Sequence, residues 1–137
     1  EESLLLCASK EYLESKSPIK WSKSYFEDLD YIAYQKGEPV LRQWLSHHLK
    51  RKNFEVNVKS WVMDVQIVAK FIQAGLGIGI LPDHLVERLQ KQKANIVVIE
   101  TKKSPTKNAI SLAYLRGKEM SQAGELVISE LKEALSY

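Results

Sequence analysis

The stretch Ile-Gln-Ala-Gly-Leu-Gly-Ile-Gly-Ile-Leu-Pro, residues 72–82, constrains this chain most. It holds three of the six glycines, Gly75, Gly77 and Gly79, at a spacing of two. A helical pattern, Asp64 to Ala74, precedes it. The apolar run Ile78, Ile80, Leu81 follows, until Pro82 stops it. Glycine just past a helix takes the left-handed conformation that ends it, and glycine in a strand lets another backbone come close. The stretch reads as helix, glycine stop, buried strand and exit, a joint of an α/β domain. Alone, such a joint carries no chemistry.

The flanking sequence supplies the other elements. Ser3–Ala8 is a short apolar run, as in a strand buried on both faces. Ser9 caps a short helix over 9–13. Residues 15–23 are mostly polar, contain Pro18 and read as loop. A short helix over 24–29 and a strand over 31–34 follow. Gln35–Glu38 is a turn, and Pro39 suits the first turn of a helix, where its missing N–H costs nothing. Leu41, Trp44, Leu45 and Leu49 lie on one face of that helix. Residues 54–62 alternate with a period of two, with Trp61 on the polar side, and predict a half-buried strand. Asp64 is a good N-cap for a helix that is apolar nearly all round. The pattern predicts a mixed α/β fold built around strands 54–62 and 78–81. Beyond Pro82 come a helix over 83–89, a strand over 96–99, a loop over 102–107, a strand over 109–115 and a turn at 116–118. Ser121 caps a final helix with the stripe Ala123, Val127, Leu131 and Ala134.

The chemistry classes narrow quickly. A chain of 137 residues makes one domain or two small lobes. No segment approaches the roughly 20 apolar residues of a membrane span, and no signal peptide is visible at Glu1. Net charge is +3. The densest basic runs, Lys50-Arg51-Lys52 and Lys102-Lys103, read as a solvated helix end and a turn. Cys7 is the only cysteine, so no intrachain disulfide forms. His47 and His48 are adjacent and lack the i, i+4 spacing of a helical metal pair, so no metal site is expected. No nucleophile elbow, zinc helix or phosphate loop is present, and the glycines follow a helix where a dinucleotide fingerprint opens one. The chain is not read as an enzyme, and no cofactor is expected.

Several segments together resemble one family. Val65-Gln66-Ile67-Val68, followed by Phe71 through Pro82, is similar to the second hinge of LysR-type transcriptional regulators. Leu6-Cys7-Ala8-Ser9 with Tyr12-Leu13 resembles the first crossing between lobes in that family. Tyr114-Leu115-Arg116-Gly117 with Met120-Ser121 and the last helix resembles its C-terminal end. The resemblance covers essentially the whole chain.

The resemblance implies an α/β fold of the periplasmic-binding-protein-like type II, with a complete second lobe and an incomplete first lobe. Residues 1–8 are then the first crossing strand, 9–81 the second lobe and 82–137 the C-terminal part of the first lobe. The hinge falls at Ala8, Ser9, Leu81 and Pro82. Effector contacts fall at two helix starts: Gln35, Lys36, Gly37, Glu38, Pro39, Val40 and Leu41, and Met63, Asp64, Val65 and Gln66. Free N–H groups at such starts favour anions, but Glu38 and Asp64 stand where they can satisfy those groups themselves, and Lys36 can offset the charge of Glu38. The implied function is metabolite sensing in the cytoplasm by a homo-oligomer, dimer or tetramer. DNA would be bound only through a helix-turn-helix absent from this sequence. Two other readings share a bilobal fold: a fragment of a transporter's solute-binding protein, and an enzyme.

Overall fold

The structure is a computed structural model, and it describes residues 1–16, 18–113, 115, 117 and 119–135. Along the chain run β1 (Glu2–Ala8), α1 (Lys10–Ser15), α2 (Lys23–Glu27), β2 (Asp30–Ala33), α3 (Pro39–Leu49) and β3 (Asn57–Trp61). Then come α4 (Val65–Gln73), β4 (Gly79–Pro82), α5 (Asp83–Lys91), β5 (Val97–Val98), β6 (Thr106–Asn108) and α6 (Gln122–Leu135). The mixed α/β fold expected from the sequence is present.

β1 is the centre of one sheet. On one side it pairs antiparallel with β4, Leu4 opposite Pro82 and Cys7 opposite Gly79. On the other it pairs with β5 through Cys7 and Ala8, and with β6 through Glu2, Ser3 and Leu4. A second sheet holds the parallel pair β2–β3, with α3 as the crossover. Strands β3 and β4 were expected at the heart of one fold, and they lie in different sheets. Ile78 joins the two. Its N–H donates to Asp30 O at 2.8 Å, and its carbonyl accepts from Ile32 N–H at 2.8 Å.

Period-two burial divides the interior into two cores. Leu6, Tyr31 and Ile80 point toward α3, into a core with Phe26, Trp44 and Leu45. Their neighbours Cys7, Ile32 and Leu81 point the other way, into a core with Val68, Ile72, Leu85 and Val86 from α4 and α5. β1 is therefore apolar on both faces, as its sequence indicates. Cys7 is buried, and that burial pushes its thiol up to about 12, so it packs as a small apolar group.

The glycine stretch works by two different means. Gly75 has φ +75° and closes α4. Its N–H donates to Ile72 O at 2.9 Å and that of Leu76 to Phe71 O at 3.1 Å, the two bonds of a Schellman cap. Gly77 and Gly79 serve close approach. A Cβ on Gly77 would stand 2.7 Å from Asp30 O, and one on Gly79 would stand 2.9 Å from Ile32 O.

Other expectations need correction. Helix α4 buries Val68, Ala69 and Ile72 but leaves Ile67 exposed, so it packs on one face against the sheets. The strand expected over 54–62 shortens to Asn57–Trp61, because its partner β2 spans only Asp30–Ala33. The helix expected over 24–29 starts at Lys23, capped by Ser22, whose hydroxyl accepts from Tyr25 N–H at 3.3 Å. The strand expected over 109–115 is replaced by β6 at 106–108, which overlaps the end of the expected loop. Asn108 already faces Glu2, the first residue of β1, and among the described residues no strand pairs with the chain beyond it. Tyr114, and Arg116 and Lys118 of the expected turn, lie outside the described residues.

The C-terminal helix has its expected stripe and its cap, Gly124 N–H donating to Ser121 Oγ at 3.2 Å. Yet no described side chain of α6 is buried, and Val127 and Leu131 are exposed. Ile110, Leu112 and Leu126 add to this apolar surface.

Two outcomes follow. Gly75→Val strains a positive-φ position and lowers stability by about 1–3 kcal/mol, whereas Gln90→Val on the exposed side of α5 costs much less; equal urea midpoints would contradict this cap. The bare surface of 110–131 drives self-association, so sedimentation at micromolar concentration shows species heavier than the monomer, which the pair Leu126→Glu and Val127→Glu reduces. A clean monomer of the unaltered chain would show that this surface is covered.

Candidate functional site

A cavity of about 110 Å³ opens where β2 ends and α3 begins. Ile32 and Ala33 come from β2, Tyr34 and Gln35 from the turn, Glu38 to Leu41 from the start of α3, and Ile80 from β4. The setting follows from topology: in a parallel βαβ unit the strand's C-terminal end and the helix's N-terminal N–H groups converge. The wall is mostly aliphatic. Tyr34 adds a hydroxyl that donates to Ile80 O at 2.5 Å. Burial holds that phenol well above its ordinary pKa, so it stays a donor.

Glu38 governs the polar side. It sits in the left-handed region with φ +47°, directly after Gly37 at +84°. Its side chain is 8% exposed. Oε1 accepts from the Gly37 N–H and from Trp61 Nε1–H, both at 3.1 Å. Oε2 pairs with Arg42 at 3.1 Å, and Arg42 also donates to Phe54 O and Gly37 O. The charge partner of Glu38 is therefore Arg42, one helical turn on, where the sequence reading had looked to Lys36.

The two helix starts differ. Asp64 caps α4, its Oδ1 accepting from Gln66 N–H at 2.7 Å and Ile67 N–H at 3.1 Å. Glu38 makes no such cap on α3. The first intrahelical bond of α3 comes from Arg42 N–H to Glu38 O, so the N–H groups of Val40 and Leu41 have no partner within the helix. Both residues line the cavity, where such N–H groups favour an acceptor.

The structure thus brings Gln35, Glu38, Pro39, Val40 and Leu41 to one cavity, while Lys36 and Gly37 lie in the turn beside it. Met63, Asp64, Val65 and Gln66 are not part of its wall. Val62 N–H donates to Ala33 O at 2.8 Å, which places this segment at the same edge of the sheet. Met63 is 88% exposed, and Gln66 accepts from Arg88 at 2.9 Å across the α4–α5 groove. The residues expected at the hinge sit at two levels. Ala8 and Ser9 are buried at the end of β1 near Gly79, while Leu81 and Pro82 pair with Leu5 and Leu4 further along. Sequence reasoning missed Ile32, Ala33, Tyr34 and Ile80 in the wall, and Arg42 and Trp61 behind Glu38. The rule that ligands sit at strand C-terminal ends was the available signal for Ala33 and Tyr34.

Glu38→Ala strips three donors of their acceptor and lowers stability by about 1–3 kcal/mol. Lys36→Ala, in the exposed turn, changes it by less than about 0.5 kcal/mol. Urea unfolding of the two variants distinguishes them, and equal midpoints would deny Glu38 this structural role.

Comparison with known proteins places this geometry in a family. Residues 1–136 match the LysR substrate binding domain. No curated protein matches the sequence. Solved structures match in fold. The effector-binding domain of QuiR in complex with shikimate aligns with a TM-score of 0.66 at 18% identity, over 93% of this chain and 58% of that one. The regulatory domain of Synechocystis PCC6803 CcmR in complex with 2-PG gives 0.65 at 21% identity, over 97% and 62%. ArgP from Mycobacterium tuberculosis gives 0.62 at 15% identity, over 72% and 33%. The chain spans between a third and just over three fifths of the length of these relatives. With a family match over nearly its whole length, the chain belongs to the LysR substrate-binding domain family.

Proposed function

We propose that this chain is the effector-binding part of a LysR-type transcriptional regulator, with its effector at the start of α3. The observation that carries the site is the uncapped helix start, facing a mostly aliphatic cavity at the C-terminal end of β2. Such a pocket suits a small molecule with an acceptor head, for the Val40 and Leu41 N–H groups, and a short apolar body along Ala33 and Ile80. Two structural relatives point to the same class, for one is in complex with shikimate and a full-length relative from Corynebacterium glutamicum holds bound effector Arg, both carboxylates. The charge of Glu38 is offset by Arg42, and its oxygens make no cap on the helix's first N–H groups.

In this proposal residues 9–81 form the second lobe, of periplasmic-binding-protein type II, and residues 1–8 and 82–137 belong to the first. Gln35, Lys36 and Gly37 line the approach, and Met63 to Gln66 form an outer rim at the same sheet edge. The hinge runs through Ala8, Ser9, Leu81 and Pro82, with Gly77–Gly79 beside Ala8. The regulator works in the cytoplasm as a dimer or tetramer, reaching DNA through a helix-turn-helix elsewhere in the longer protein. Effector binding favours one arrangement of lobes and subunits over another, and acts only by its difference in affinity for the two.

Calorimetry with a panel of small carboxylates, shikimate and arginine among them, tests the site. Ala33→Leu fills the cavity and weakens the best binder at least tenfold, while Gln90→Ala leaves it unchanged. Equal affinity in Ala33→Leu and the unaltered chain would remove the site from this cavity.

A further inference from the structure

The basic residues that look scattered in the sequence are gathered around Trp21 by the fold. Trp21 is 39% exposed, and its ring is held from behind by Phe26, with centroids 5.3 Å apart, and by Trp44 at 6.4 Å. A cavity opens on each side of it. One, about 210 Å³, is bounded by His48, Thr101, Lys102 and Lys103. The other, about 470 Å³, is bounded by Ser22, Lys23, Ser24, Glu27, Leu49 and Arg51. Both lie at the far end of α3 from the effector cavity.

The walls are anchored. Lys103 Nζ donates to His47 O at 2.6 Å, and the His47 ring bonds Ser104 O at 2.9 Å, so the 101–104 loop is tied to the last turn of α3. The His48 ring stacks 4.3 Å from Trp44 and meets Thr106 Oγ1 at 3.3 Å. Its Nδ1 is buried with no partner among the described residues. Burial pushes this imidazole down to about 4, so it adds a polar edge and no charge at neutral pH.

The charge is one-sided. Lys23, Arg51, Lys102 and Lys103 bound the two cavities, against a single carboxylate, Glu27. Glu27 is already occupied, 3.4 Å from Lys23 and accepting from the Glu55 N–H at 2.8 Å. Lys50 stands near enough to Lys103 to help lower its pKa, after desolvation, and among the described residues no carboxylate pairs with Lys50, Lys102 or Lys103. A bound anion relieves that crowding. The exposed aromatic ring between the two cavities adds a stacking partner for a planar group. Charge and ring together specify more than an anion alone.

We propose that the face around Trp21 is a second ligand site, separate from the effector cavity, which takes a nucleoside phosphate: the base stacks on Trp21 and the phosphate lies in the cavity bounded by Lys102 and Lys103. The paired concave cavities favour a ligand of mononucleotide size over an extended strand.

Calorimetry of the chain with AMP, adenosine and inorganic phosphate tests this. AMP binds one to one and more tightly than either part. Lys102→Glu, on an exposed side chain, weakens AMP at least tenfold. Trp21→Leu keeps an apolar group against Phe26 and weakens AMP about fivefold or more, while leaving phosphate affinity unchanged. Ala33→Leu in the effector cavity leaves AMP binding intact. The proposal fails if AMP does not bind at millimolar concentration. It fails equally if phosphate binds as well as AMP and Trp21→Leu changes nothing, or if only an oligonucleotide binds, which would make this a nucleic-acid surface. Circular dichroism confirms that each variant is folded, and Trp21→Phe, which restores a ring, recovers AMP affinity.

Discussion

Everything in this fold depends on one residue's width of backbone. Ile78 hydrogen bonds to β2 through both its N–H and its carbonyl, and the next residue, Gly79, pairs with β1. The chain thus passes from the parallel sheet to the antiparallel one with no intervening loop. That passage is possible only because Gly77 and Gly79 carry no Cβ, since each would press on a carbonyl oxygen of β2. The apolar side chains between them, Ile78 and then Ile80, enter the core beneath α3. The joint therefore fixes how the two sheets meet, and where Ile80 stands in the wall of the cavity at the start of α3.

The contrast between α3 and α4 shows how a helix start is kept open. Asp64 closes α4 by accepting from its first N–H groups. Glu38 occupies the corresponding place in α3, but the left-handed turn at Gly37 and Glu38 swings its carboxylate toward Trp61 and Arg42. Holding a non-glycine residue there costs about 1–2 kcal/mol, and the hydrogen bonds around the carboxylate offset it. The result is a helix start whose donors remain available, beside a carboxylate that is already satisfied.

Much of the element order was legible in the sequence, because period, caps and glycine stops are local signals. Ser9, Asp64 and Ser121 cap where they were expected to. What was not legible depends on partners distant in the chain. The length of β3 is set by β2, and β6 ends where β1 runs out, so neither boundary is written in its own residues. Helix α4 looks apolar all round, yet only packing decides which face is covered. For the candidate site, the turn and helix start at 35–41 were legible as a segment. The direction of Glu38's side chain was not, since it rests on Trp61 from a different strand. The clustering of Lys23, Arg51, Lys102 and Lys103 was equally invisible, since loops of unrelated position supply them.

The central place of β1 has a consequence for how the molecule comes to be folded. Within residues 1–137 this strand is made well before its partners, β4 at 79–82, β5 at 97–98 and β6 at 106–108. The contact between Ser3 and Lys107 spans a separation of 104 residues. Pairings of such long range close slowly, because chain entropy must be lost before any contact forms. In that interval a strand that is apolar on both faces lacks these three partners, which makes the nascent chain a natural client for chaperones. The βαβ unit formed by β2, α3 and β3 is far more local, so it is the part best able to condense first and wait for β1 to be enclosed.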